Sequence, residues 1–167
     1  MDANLACSPH RDGIGHHQSM PGEPTDGIGE ILGLHHIKIP VTDLIRSREW
    51  YERVFELESL TEFRDDDGVV RGVVYRSRGD LAISLREQPM AARGISGFDP
   101  FAIMLHGRAD IDHWVDRLER LGVAHSEVID APIGFIVSFD DPDGLQLRFY
   151  TLDASGLDLE GRPRPRP

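Results

Sequence analysis

The side chains of this 167-residue chain best suited to chemistry are His36, Lys38, Ser84, Arg86, Met104, Gln146, Arg148 and Tyr150. They fall at alternate positions of four short segments, 35–41, 81–86, 101–105 and 145–150, whose intervening residues are apolar. Such alternation marks half-buried strands, in which neighbouring side chains point to opposite faces. The apolar set (Ile37, Ile39, Val41; Leu81, Ile83, Leu85; Phe101, Ile103, Leu105; Leu145, Leu147, Phe149) must then be buried, leaving the polar set on the other face. Lys38, Arg86 and Arg148, with Ser84, Gln146 and Tyr150 as hydrogen-bond donors, suit a carboxylate, a phosphate or an enolate-like group. His36 is a candidate general acid or base, with Arg148 steadying a developing oxyanion and Tyr150 as a second acid. The competing reading is that the cations pair with Glu87, Glu58 or a second subunit.

The elements that position these residues repeat. Shifting the sequence by 64 residues lays His36 on Pro100, Trp50 on Trp114, Arg53 on Arg117, Val54 on Leu118 and Leu57 on Leu121. Without a gap, the same shift lays Leu81, Ile83 and Leu85 on Leu145, Leu147 and Phe149. Each unit reads as strand, helix and three strands. Asp43 is expected to cap the first helix and Asp110 the second, which Gly122 should end. Trp50 and Trp114 fall on the apolar stripes of these helices and read as core. Turns are expected at 65–68, 78–80 and 141–144, where Asp and Gly cluster. The fold class is therefore α+β, built from two βαβββ modules at about 34–88 and 98–152. Residues 1–31, rich in Gly, Pro, Ser and His, read as a flexible arm, and 153–167 as a Pro/Arg tail. His10, His16 and His17 in the arm read as tail residues rather than metal ligands.

Composition narrows the function classes. With 18 basic against 29 acidic residues, the net charge of −11 argues against nucleic-acid binding. No apolar run approaches the ~20 residues of a membrane span, and no signal peptide is evident. A single cysteine, Cys7, rules out an intramolecular disulfide and a thiolate zinc cluster and fits a reducing cytoplasm.

Three stretches resemble the vicinal oxygen chelate superfamily of glyoxalase, bleomycin-resistance and dioxygenase-like proteins. They are His35-His-Ile-Lys-Ile39 with Val41-Thr-Asp-Leu44 and Trp50-Tyr51, then Leu121-Gly-Val-Ala-His-Ser126, then Asp130–Gly134 with Asp141-Pro-Asp-Gly-Leu-Gln146. The resemblance covers about 33–152 and implies one cup-shaped curled sheet whose concave face holds the ligand. The domain left between the arm and the tail is about 32–152, and the resemblance implies a homodimer. It also places the metal corners of metal-dependent relatives at His36, Ser84, Pro100 and Arg148. Only His36 is a good ligand: a hydroxyl binds weakly, proline has no donor atom, and a guanidinium offers no lone pair. No metal or other cofactor is therefore expected. His106, His113, His125 and Glu87 could rebuild a site only with displaced geometry, since His113 falls on a helix and Glu87 on the apolar parity. The leading expectation is a small-molecule binder for an anionic or neutral ligand, with metal-free acid/base chemistry through His36 as an extension. An antibiotic-sequestering protein, a metal-dependent lyase, isomerase or dioxygenase with displaced ligands, and a structural module are the alternatives.

Overall fold

The computed structural model describes residue 31 and residues 33–77, 81–131 and 134–151. The arm and the Pro/Arg tail, with His10, His16, His17, Cys7 and the turn at 78–80, lie outside the described residues. The first module runs β1 (Ile37–Val41), α1 (Leu44–Phe55), β2 (Glu58–Arg64), β3 (Val70–Arg76) and β4 (Ala82–Glu87). A short helix α2 (Pro89–Gly94) leads to β5 (Ala102–Leu105), α3 (Arg108–Arg120), β6 (Ile129–Ala131), β7 (Gly134–Asp140) and β8 (Gln146–Thr151). Shifted by 64, β3 and β4 fall on β7 and β8 to the residue. The repeat departs most at β2, whose seven residues face only three in β6.

The strands form two four-stranded sheets, β1-β4-β3-β2 and β5-β8-β7-β6. In each, the first strand runs parallel to the last and the rest are antiparallel. No ladder joins β1 to β5, so each stands as the free edge of its own sheet.

Local chemistry explains the helices. Asp43 caps α1, its carboxylate accepting the Arg46 N–H at 3.0 Å. The second cap differs from expectation: α3 starts at Arg108 behind an extended Gly107, and Asp110 sits within the first turn. Its carboxylate reaches back to accept the His106 N–H at 3.2 Å, one residue before the Gly107 cap. Gly122, at φ 67°, takes the left-handed position that ends α3.

The expected apolar parity holds. Ile39, Val41, Ile83 and Leu85 from the first sheet join Leu145, Leu147 and Phe149 from the second in one buried core with both helices. Trp50 and Trp114 pack on that core. Helix α1 bridges the modules, because Phe55 meets Phe139 at 6.2 Å, Phe149 at 6.1 Å and Trp114 at 5.7 Å. Both sheets thus turn their apolar faces to one shared core, and each presents its other face outward.

Two polar joints lock this arrangement. Tyr51 is fully buried and donates its hydroxyl to Asp141 at 2.9 Å. Beside it, Asp143 accepts from the Thr42 N–H at 2.8 Å, the Thr42 hydroxyl and Arg46. On the far side, Arg117 of α3 donates to the Val54 and Arg53 carbonyls and to Glu56, each at 2.7 Å. It satisfies the open end of α1 where Glu56 enters the left-handed region at φ 52°.

Candidate functional site

On the first sheet, Lys38 pairs in register with Ser84, and Pro40 with Arg86. Lys38, Ser84 and Arg86 therefore share the outer face, as alternation requires, although Ser84 itself is buried. Across the next strand Arg86 pairs with Gly72, and Gly72 with Phe63 of β2. The guanidinium of Arg86 lies over the Phe63 ring, its Cζ 5.2 Å from the centroid. His36 precedes β1, half-buried, with its Nδ1 2.8 Å from Nδ1 of His35.

On the second sheet, Ala102 pairs with Arg148 and Met104 with Tyr150. Arg148 is held on both sides: Nη1 lies 2.9 Å from Asp99, and Nη2 and Nε donate to the Gln146 amide oxygen at 2.8 and 3.3 Å. Sequence reasoning missed Asp99, although it directly precedes the Pro100 corner. Met104 is 67% exposed.

The structure brings Lys38, Ser84 and Arg86 together, and separately Met104, Gln146, Arg148 and Tyr150. It does not bring the two sets together: no hydrogen bond, ion pair or ring contact among the described residues joins them. The expected convergence of Lys38, Arg86 and Arg148 is absent within one chain, because the two faces point away from a common core. Neither Glu87 nor Glu58 takes the role of counter-ion to these cations. Glu87 lies on the other parity and pairs with Arg71 at 2.6 Å.

Two clefts open at the module junction instead. One, of about 330 Å³, is lined by Phe55, Leu81, Ile103, Trp114 and Phe149, with Met104 at its edge. The other, of about 660 Å³, is lined by Arg46, Trp50, Arg53 and Asp141. The 64-residue repeat relates them, since Trp114 and Arg117 of the first correspond to Trp50 and Arg53 of the second. Of the candidate residues only Met104 touches either; Gln146 lines a third cleft of about 270 Å³ with His125 and Ser138.

The model of the Glyoxalase/Bleomycin resistance protein/Dioxygenase superfamily matches residues 33–149. This chain belongs to that superfamily. Among solved structures it is similar to a glyoxylase/bleomycin resistance protein/dioxygenase domain from Frankia sp. EAN1pec. That match has 26% identity and a TM-score of 0.60, covering 73% of this chain and 93% of that one. The fosfomycin resistance protein FosX of Listeria monocytogenes shares the fold at 19% identity and a TM-score of 0.58, covering 80% of this chain and 99% of that one. So does TnmS3, an antibiotic binding protein from Streptomyces sp. CB03234, at 21% identity and a TM-score of 0.59, covering 75% of this chain and 100% of that one. No match was found among curated protein sequences. The fold thus occurs in a fosfomycin resistance protein and in an antibiotic binding protein, and fold alone does not choose between such roles. No described helix is long and apolar enough to cross a membrane.

A metal is the group the superfamily suggests for such a face. The four corner residues do not fit one. Of His36, Ser84, Pro100 and Arg148, one offers a strong donor, one has no side-chain donor, and one is a cation already bonded to Asp99 and Gln146. Among the described residues, no three His, Cys, Asp or Glu side chains are grouped to hold an ion.

Proposed function

We propose that this chain binds a small organic molecule, anionic or neutral, without a metal, in a cup completed by a second copy. The observation that carries the reading is the division of the candidate residues between two outward faces, each beside an unpaired strand edge. In the cup we propose, the first-sheet face of one copy, with Lys38, Ser84 and Arg86, lies opposite the second-sheet face of the other, with Met104, Gln146, Arg148 and Tyr150. Two copies then yield two equivalent cups, as a closed twofold arrangement requires. The 67% exposure of Met104, on the edge strand β5, supports this, since an exposed apolar side chain gains by being covered. Being similar in fold to TnmS3 is compatible with a binder. Acid/base turnover through His36 is not part of this proposal, since one of its ring nitrogens already meets Nδ1 of His35 at 2.8 Å.

Two measurements on the full chain test the proposal. Sedimentation equilibrium should give twice the 18.7 kDa chain mass at micromolar concentration; a strict monomer overturns the shared cup. Metal analysis, with a thermal-shift titration of Ni²⁺, Zn²⁺, Fe²⁺ and Mn²⁺, should show no stoichiometric ion and no stabilisation. A bound metal lost on His36→Ala would overturn the metal-free reading.

A further inference from the structure

We infer that the outer face of the first sheet recognises a planar organic carboxylate with an aromatic body, Arg86 taking the carboxylate and Gly72 setting the pose of Arg86. The inference rests on the proposal that the outer faces bind the ligand, and it names the ligand class.

Charge is the first argument. Lys38, Arg76 and Arg86 share this face by register, and Glu58, the partner of Arg76, is a lone carboxylate among the strand residues there. None of the three cations has an ion-pair partner among the described residues, whereas Arg64, Arg71, Arg117 and Arg148 all do. In a chain of net charge −11, carboxylates are plentiful, so three cations left unmatched on one face form an anion-attracting surface.

Geometry is the second. A Cβ on Gly72 would stand 2.6 Å from Cδ and 3.1 Å from Nη1 of Arg86, and 3.0 Å from the Leu85 carbonyl oxygen. The missing side chain lets Arg86 cross β3 and rest over Phe63 rather than swing into solvent. Holding the guanidinium in advance removes much of the entropy cost of ligand binding, and its fork matches a carboxylate edge-on. Lys38, two positions along the adjacent strand on the same face, adds a second cation. Phe63, Val74, Pro40 and Ala82 supply apolar surface beside the charge. A compact dianion such as phosphate would leave that surface uncovered; a flat aromatic acid covers it.

The test is isothermal titration of the full chain with 2-naphthoate, 2-naphthamide, phenylphosphonate and inorganic phosphate, repeated on Arg86→Gln, Gly72→Ala, Arg148→Gln and, as a control outside the cup, Arg120→Gln. Naphthoate should bind, with the neutral amide at least tenfold weaker. Arg86→Gln should weaken naphthoate at least tenfold and Gly72→Ala at least threefold, while Arg120→Gln, exposed at the end of α3, leaves it within twofold. If Gly72→Ala fails to fold, the Arg86→Gln result alone decides. Undiminished binding in Arg86→Gln, or inorganic phosphate competing as well as naphthoate, overturns the inference. Phenylphosphonate or the amide binding in an Arg148-dependent manner overturns it and leaves the shared cup standing. Silence from all four probes in a dimeric protein overturns the inference alone, and in a monomeric one overturns both.

Discussion

Replacing Tyr51 by phenylalanine removes one oxygen from the joint between the modules and leaves the ring contacts with Trp50 and Phe55 in place. The hydroxyl donates to a carboxylate that is itself buried, Asp141, whose other oxygen accepts from the Asp143 and Leu145 N–H groups at 2.8 and 2.9 Å. A hydrogen bond to a charged group contributes about 1.5–3 kcal/mol, and here its loss also leaves a buried acceptor without its donor. The expected deficit of ~2–3 kcal/mol corresponds to a fall in Tm of roughly 8–12 °C for a domain of this size. Burial holds the Asp141 carboxyl above the usual carboxylate range, partly offset by the Leu145 N–H, the Tyr51 hydroxyl and the Asp143 N–H. Because its folded pKa is raised, ionising Asp141 costs stability that returns as pH falls through that pKa. Without the Tyr51 donor the folded pKa rises further, so the deficit should be full near neutral pH and shrink as the solution is acidified. Asp143 runs the other way: burial raises it, but Thr42 and Arg46 outweigh burial and leave it lowered. Its contribution is lost as pH falls, but both proteins carry it and it cancels in the difference. Urea unfolding of the two proteins across about pH 4.5–7.5 measures the difference directly. A deficit below about 0.5 kcal/mol, or one flat with pH, would refute the claim that this hydroxyl braces a buried carboxylate.

Arg117→Ala should cost about 2 kcal/mol, since it frees two carbonyls at the end of α1, while the Glu56 pair, 61% exposed on the acid side, adds little. Urea melts should show the loss, and Arg117→Lys should recover less than half because one ammonium cannot span both carbonyls. Gly134→Ala should destabilise by more than about 3 kcal/mol, because φ is 150° and a Cβ would lie 2.1 Å from the Thr151 carbonyl oxygen. Soluble expression with an unchanged melt would contradict that clash.

The repeat was legible because burial imposes the same apolar spacing on both copies, and β3, β4, β7 and β8 follow it to the residue. Strand parity was legible for the same reason: Ile39 and Leu85 are buried while Lys38 and Met104 are exposed. Asp110 was misread as a cap because its carboxylate bonds to a backbone N–H near the helix start, as a cap does, but from inside the first turn. Phe63 escaped notice because the β2–β3 register shifts between Ser59 and Thr61 and again after Phe63, and alternation cannot be carried through a bulge. What the strand pattern could not give was which face meets which. Alternation assigns a side chain to one side of its own sheet, but the placing of two sheets on one core depends on long-range contacts such as Phe55 with Phe139 and Arg117 with Val54.

The metal-free reading turns on the charge of one corner as much as on missing donors. At ~4 Å and an effective dielectric constant near 20, a guanidinium repels a divalent ion by about 8 kcal/mol, which a single histidine ligand does not recover. Asp99 could offset part of that repulsion, but its carboxylate already faces Arg148 at 2.9 Å, and turning it toward an ion would strand the arginine. Arg148, Asp99 and Gln146 therefore behave as a closed polar cluster, charge-balanced and hydrogen-bonded within itself. Among the described residues Lys38 and Arg86 have no such balance, which makes the two halves of the proposed cup chemically unequal. The second sheet offers a neutralised, partly apolar wall with Met104 and Tyr150, and the first offers the unmatched positive charge. A ligand with one anionic end and one flat apolar end answers that inequality, and a ligand charged at both ends does not.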